Sequence, residues 1–496
     1  MYKNIRMGFG LVFFLLLLGY QDALAAKDTR FECGGTVEAE VWSLWDTNVR
    51  DHMRKNLLQD RLLKQGDVYA LYDFQIYMHN MVSMARRCDR ESRLLEISQL
   101  VRVAYDNLTP GSLSDPGRRW FNSKTRGEVI LCSVQFLGLA SSIANSLAVS
   151  STPLKNEEKV FVRDTVQIVI EHLLRWGDEA SIRSIQKISA AKPEDVKDGS
   201  HTLFFTDKSL WQLAIYAELA GILQNKDRQN LGFDEISTEK KARLQKHLNA
   251  LMSFFLARVS IRRDPNSRFG SVELADLDRG FLRLHADMRY AGYDKTEKPV
   301  ERIASAHDKM KFEMKINVPA DKVPVREDTG WDISHARRLV HALDALGRNR
   351  NAMKSIFILQ EQQLPPVALP SAFANTLVAI VWNGDTLKPL FSNFWSGANG
   401  WYRVAYDSGT GQIREGTPPY GLTDSFPTGG YIAWAEYHPV IGSLGQQIYN
   451  LINSPKGETD PFIVTYYRKF SKRMDDQTKT LSRFMFYPSL VNARNK

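Results

Sequence analysis

The sequence predicts a mainly helical fold, an (α/α) toroid of helical hairpins with a short β-ribbon near 383–429. Three observations predict it. Helix-spaced apolar patterns dominate from residue 36 onward. They alternate between helices that are apolar on every side and helices with one charged face, and a helix apolar all round has to be enclosed by others. No fixed repeat period runs through the chain, which weighs against the competing solenoid of helical pairs.

The elements follow in order. Residues 38–64 read as an amphipathic outer helix carrying Val41, Leu44, Trp45, Val49, Met53 and Leu57, and Gly66 breaks it. Residues 67–87 are apolar on nearly every side, with Tyr69, Leu71, Tyr72, Phe74 and Met78. An amphipathic helix at 91–107 ends at Asn107-Leu108-Thr109-Pro110-Gly111. The alternation recurs with 127–148 enclosed and 156–176 amphipathic, then 207–223 enclosed and 238–258 amphipathic. A helix over 273–292 carries Leu277, Phe281, Leu284 and Met288. A charged, proline-containing stretch at 294–327 precedes helices at 331–347, 370–383 and 430–452. Between the last two, turn signals at Asn383-Gly384-Asp385 and Gly397-Ala398-Asn399-Gly400 mark the ribbon, expected on the rim of the toroid's cavity.

The amino terminus reads as a signal peptide. Lys3 and Arg6 supply the positive region, Leu11 to Leu18 the apolar run, and Ala23-Leu24-Ala25 the small residues before cleavage at Ala25 or Ala26. The alternative, a membrane anchor, is disfavoured because the run is shorter than the roughly 20 residues that span a bilayer. The organisation is therefore 1–26 signal peptide, 27–452 toroid domain and 453–496 a C-terminal extension packed on it, in the periplasm or secreted. Of the three cysteines, Cys33 and Cys88 are the expected disulfide pair and Cys132, inside an apolar helix, the buried thiol. The net charge of +9 fits an acidic polysaccharide, an anionic membrane surface or a cell wall better than nucleic acid, given export. The same charge also serves solubility alone.

Four stretches carry candidate chemistry. In Asp328-Thr329-Gly330-Trp331-Asp332-Ile333-Ser334-His335-Ala336-Arg337-Arg338, Asp332 caps a helix whose first turn bears His335, with Arg338 one turn on. A neutral His beside Arg suits removal of a proton from carbon next to a carboxylate; a structural cap is the alternative. In Tyr72-Asp73-Phe74-Gln75-Ile76-Tyr77-Met78-His79, the polar residues of an enclosed helix line a cleft or form a buried network. Around 424–439, Asp424 and Glu436 are carboxylates for acid or base work, while Trp434 stacks on a sugar or packs in the core. Tyr290, expected to close the helix at 273–292, is a proton carrier. No GxSxG, HExxH, P-loop or GxGxxG motif occurs, so neither a metal nor a cofactor is expected.

The helix succession, with the aromatic and basic stretch Asn399-Gly400-Trp401-Tyr402-Arg403-Val404-Ala405-Tyr406-Asp407, resembles the (α/α)-toroid carbohydrate-active enzymes. These are polysaccharide lyases, glucuronyl epimerases and inverting glycosidases, and the resemblance covers most of 36–452. It carries over no individual residue, and a shared fold does not fix an activity. The leading expectation is an enzyme acting on an acidic polysaccharide by β-elimination or epimerisation. In it His335 or Tyr290 moves the proton and Arg338 and Arg403 neutralise the carboxylate. Trp401, Tyr77, His79, Trp434 and Asp424 join these arginines as substrate contacts. One alternative is an inverting glycosidase pairing Asp73 with Asp332 or Glu436. The other is a non-catalytic helical scaffold or glycan-binding protein of the cell envelope, which predicts that His335, Asp73 and Glu436 lie far apart.

Overall fold

A computed structural model describes residues 29–111, 117–197, 203–233, 235–305, 312–407 and 413–492. The expected signal peptide and residues 408–412 of the expected ribbon lie outside the described residues.

The chain begins with α1 (Thr36–Leu44), prolonged by the wider π-helical stretches Trp45–Val49 and His52–Lys64. Val41, Trp45, Val49, Met53 and Leu57 form its buried stripe. Helices α2 (Tyr69–Arg87), α3 (Glu91–Tyr105), α4 (Ile130–Ala148), α5 (Asn156–Trp176), α6 (Glu179–Ser189), α7 (Asp207–Gln224) and α8 (Thr238–Arg258) follow. Two antiparallel hairpins come next, β1 (Val259–Ser267) with β2 (Gly270–Leu277), and β3 (Val300–Ala304) with β4 (Phe312–Ile316). The second half contributes α9 (Ile333–Ala336), α10 (Arg338–Arg348), α11 (Arg350–Ile356) and α12 (Leu369–Thr376), then the short pair β5 (Tyr406–Asp407) and β6 (Ile413–Arg414). It closes with α13 (Ser425–Thr428), α14 (Pro439–Ile452), α15 (Pro461–Tyr466) and α16 (Asp476–Leu490). The fold is thus mainly helical, with small antiparallel sheets.

The packing follows the alternation in the sequence. Every residue of α4 from Cys132 to Ala148 is buried. Each large apolar side chain so enclosed contributes about 1.5–3 kcal/mol, which drives an all-round apolar helix to the interior. Although α4 is long and apolar enough to cross a membrane, its surface is taken up by protein. It packs on α2 and α7; α7 packs on α10, and α16 packs on α2. The segment Tyr431–Glu436 touches both α10 and α16. On the other side, α3 leans on α2 and α4, α5 on α4, and α8 on α7. Gly138 lets α4 and α7 approach, because a Cβ there would lie 2.6 Å from the Trp211 ring. One apolar core runs from Val37 to Val491, and Tyr290, Val300, Val323, Trp401 and Val404 make a small satellite.

Cys33 and Cys88 form the expected disulfide, compatible with an oxidising compartment. Cys132 is a fully buried free thiol, and burial pushes it up to about 12. Two expected elements differ: the helix expected over 430–452 is split into a 3-10 segment, Tyr431–Glu436, and α14 from Pro439, and 273–292 is not a helix. Gly270, at φ +82°, turns the chain into strand β2, and left-handed backbone at Asp278 and Gly280 then breaks it again. The Asp278 carboxylate accepts from the Phe205 amide and, at 2.8 Å, from the Trp331 indole. This pins the loop that was expected to be helical, and the four-three-four spacing of its apolar residues reflects several separate contacts.

Candidate functional site

The best-organised polar cluster stands where α9 begins. Trp331 is held through its indole by Asp278, the Ile333 amide donates to the Asn393 carbonyl at 2.9 Å, and Tyr431 donates to the Ile333 carbonyl at 2.6 Å. Locked between these anchors, Asp332 caps α9 as expected. Its Oδ1 accepts from the amides of Ser334 (3.0 Å) and His335 (3.1 Å) and from the Ser334 hydroxyl, and its Oδ2 meets His335 Nδ1 at 2.6 Å. Burial alone would raise the Asp332 carboxyl, but the His335 ring, Ser334 and Arg403 outweigh it and hold the carboxyl well below the usual range. A carboxylate oxygen only accepts, so His335 carries its proton on Nδ1 and keeps Nε2 as its basic nitrogen. Asp332 is 1 % exposed while the His335 side chain is 31 % exposed. The pair is a buried charge steering an open ring.

Three further side chains converge on it. The Tyr402 hydroxyl lies 3.4 Å from His335 Nδ1, and burial, reinforced by Asp332, keeps that phenol protonated far above the ordinary tyrosine range. Arg338, buried at the start of α10, donates to the Tyr72 hydroxyl at 3.0 Å and pairs with Asp207 at 3.3 Å. Arg403 donates from Nε to Asp287 at 2.9 Å and lies over the rings of Tyr402 and Tyr406. Burial opposes the charge on both arginines, but Asp207 and Tyr72 for Arg338, and Tyr402 and Asp287 for Arg403, overcome it and raise them. Arg403 and Ala405 adopt φ of +52° and +55°, strained for residues with a side chain. Asn393, fully buried, ties this strained loop down through the Gly400 and Pro418 carbonyls.

The structure thus brings together Asp332, His335, Arg338 and Arg403. The remaining sequence candidates stand apart, and for Asp73 and Glu436 relative to His335 this is the separation that the scaffold alternative predicts. Asp73 is paired with Arg61 at 2.5 Å, and Tyr77 meets the His52 ring edge-on, both toward α1. His79 is buried, bonded to Gln75 and stacked on His341. Tyr290 donates to the Val318 carbonyl and Trp401 to the Lys295 carbonyl, inside the satellite core. Trp434 packs against Phe373, Trp395 and Tyr431. Asp424 lies beside Lys469, with burial pushing it up to about 6. Glu436 stands at the mouth of a cavity near the other end of α2 and α10.

Sequence reasoning missed Tyr402, Tyr72, Asp207 and Asp287. Tyr402 sat inside the aromatic and basic stretch next to Arg403, a usable signal, and Tyr72 beside Asp73. Asp207 and Asp287 carry no local mark, since their partners lie more than a hundred residues away. Comparison with protein-family models, with curated proteins and with solved structures finds no match.

Proposed function

We propose that the chain is an exported carbohydrate-active enzyme that acts on an acidic polysaccharide by β-elimination or epimerisation at the 332–338 and 402–403 cluster. The observation that carries the reading is the 2.6 Å bond from Asp332 to His335, with the Tyr402 hydroxyl and two arginines around it. His335 Nε2 takes the proton from the carbon next to a uronate carboxylate. Arg338 and Arg403, oriented by Asp207 and Asp287, stabilise the charge that develops on that carboxylate. In elimination the C–H electron pair becomes the new carbon–carbon double bond as the glycosidic C–O bond breaks. The departing oxygen takes a proton from Tyr402, leaving an unsaturated uronate and a new reducing end. In epimerisation the glycosidic bond stays intact and Tyr402 delivers its hydroxyl proton to the opposite face of the same carbon, as His335 keeps the proton it removed.

Tyr402 replaces Tyr290 in this role, because the Tyr290 hydroxyl is committed to a backbone carbonyl. The finer fold also belongs to the proposal. The packing order α2, α4, α7, α10, segment 431–436, α16 and again α2 supports an (α/α) toroid with α3, α5 and α8 outside. The disulfide supports a periplasmic or secreted location. The test follows ultraviolet absorbance and reducing ends together on a panel of uronate-containing polysaccharides. The reading expects both to rise, or the uronate configuration to change without cleavage. Reducing ends alone would point to hydrolysis, and inactivity on every substrate to a binding scaffold.

A further inference from the structure

The last turns of α2 and α10 border a cavity of about 520 Å³, within the range of small-ligand sites. Its inner lining reaches Asn80 and His341, and its charged end lies away from the His335 cluster. Tyr72 and Arg86 are fourteen residues apart on α2, which at 1.5 Å per residue is about 21 Å. Its charges are unevenly satisfied. Arg348 is shared by Glu218 and Asp344, and Arg86 also donates to Asp344. Both arginines reach the same oxygen of Asp344, Oδ2, at 2.9 and 2.8 Å. No hydrogen bond to Asp344 Oδ1 is seen among the described residues, and 37 % of that side chain remains accessible.

Arg87 is the odd cation. Its Nη2 donates to the carbonyls of Pro488 (2.9 Å) and Val491 (3.0 Å), and among the described residues no carboxylate lies within ion-pair distance of it. Burial, with Arg86 adding to it, pushes this guanidinium down to about 10. Arg87 is half-buried, and Asp344 and Glu436 offset its charge only from beyond ion-pair distance, so an anionic ligand in the cavity would give it a direct partner. Asp344 complements it. Burial would raise this carboxyl, but Arg348 and Arg86 hold it ionised. At the mouth stand Glu436 and the Tyr437 ring, which is 38 % exposed.

We propose that this cavity is a second ligand site, separate from the His335 cluster, which seats a polyhydroxylated carboxylate such as a terminal uronic acid residue. Arg87 receives the carboxylate, Asp344 Oδ1 accepts a ring hydroxyl, and Tyr437 offers a stacking face at the entrance. The choice of a uronic acid rests on the acidic-polysaccharide reading above; the need for an anion and a hydroxyl donor rests on the cavity alone.

The test is calorimetric titration of the mature chain with glucuronate, with glucose as the uncharged probe and a glucuronate oligomer as the chain-end probe. Saturable glucuronate binding is expected in wild type and equally in His335→Ala, with glucose weaker by roughly tenfold or more. Tyr437→Ala, at the exposed mouth, weakens glucuronate roughly tenfold, and Arg87→Gln removes the preference for glucuronate over glucose. An oligomer binding as tightly as the monomer or tighter assigns the site to chain ends; an oligomer that fails to bind restricts it to free sugar acids and overturns the chain-end assignment. Absence of glucuronate binding to wild type, equal affinity for glucose, or binding lost in His335→Ala but kept in Tyr437→Ala would overturn the proposal. Should Arg87→Gln not fold, the wild-type comparison and Tyr437→Ala decide. Glucuronate binding without proton-transfer activity would sink the enzymatic reading and leave this site standing.

Discussion

The two ends of α2 and α10 handle charge in opposite ways. At the first turns the charged groups of the His335 cluster are paired, Asp332 with His335, Asp207 with Arg338 and Asp287 with Arg403, while Arg337 beside them has no ion pair among the described residues. At the last turns Arg348 is doubly anchored, whereas Arg87 has only backbone carbonyls. Pairing with a rigid neighbour sets geometry before any substrate arrives, which is what proton transfer needs. A cation with no partner leaves room for a ligand to supply one. The histidines repeat the contrast. His335 has a carboxylate behind it and an open ring, while His79 and His341 stack at 3.8 Å in the interior and are kept neutral by burial.

The largest expected effect sharpens the comparison at the anchored side of the cavity. Glu218 is 2 % exposed and holds Arg348 at 2.5 Å together with Asn145 and Asn349. Its replacement in Glu218→Ala leaves the buried Asn145 and Asn349 side-chain amides without their acceptor and Arg348 with Asp344 alone, lowering unfolding free energy by about 3–5 kcal/mol in a urea titration. A loss below about 1 kcal/mol would mean that these groups find water instead.

Next is the other end. Asp332→Asn keeps the helix cap and loses the charge behind His335, so proton-transfer activity falls roughly a hundredfold while stability changes by about 1 kcal/mol or less. A large stability loss with the activity of the remaining folded protein intact would make Asp332 a structural cap alone.

The smallest effect concerns the histidine stack between the two ends. Burial holds His341 down to about 3 and His79 well below its ordinary value, whereas in the unfolded chain both titrate near 6.5. The unfolded state therefore binds more protons in this window, and the stability the pair contributes is complete above pH 6.5. It is lost gradually as pH falls through 6.5 toward 3. His341→Asn flattens the acid limb of the melting temperature against pH. An unchanged slope would assign that limb to other groups.

Much of this was legible in the chain. The amphipathic helices expected at 156–176 and 238–258 form over those residues, and Asp332 caps α9 because its side chain accepts two amides of the next turn. Local physics was enough for both. The 273–292 segment was misread because Leu277, Phe281, Leu284 and Met288 keep helical spacing without a helix, and left-handed backbone at Asp278 gives no compositional sign. Tyr290 and Trp401 looked available because their partners, the Val318 and Lys295 carbonyls, are set by the loop's tertiary path. The cavity was invisible for the same reason, as Arg87, Asp344 and Glu436 meet only once α2, α10 and the 431–436 segment are packed.

The account stands or falls on proton movement at His335. The most direct measurement is proton NMR of a uronate polysaccharide incubated with the enzyme in deuterium oxide, wild type against His335→Ala. The account predicts that wild type exchanges or removes the proton beside the uronate carboxylate, and that His335→Ala, folded to the same thermal stability, slows this by roughly a hundredfold or more. Exchange at an undiminished rate in His335→Ala would contradict it.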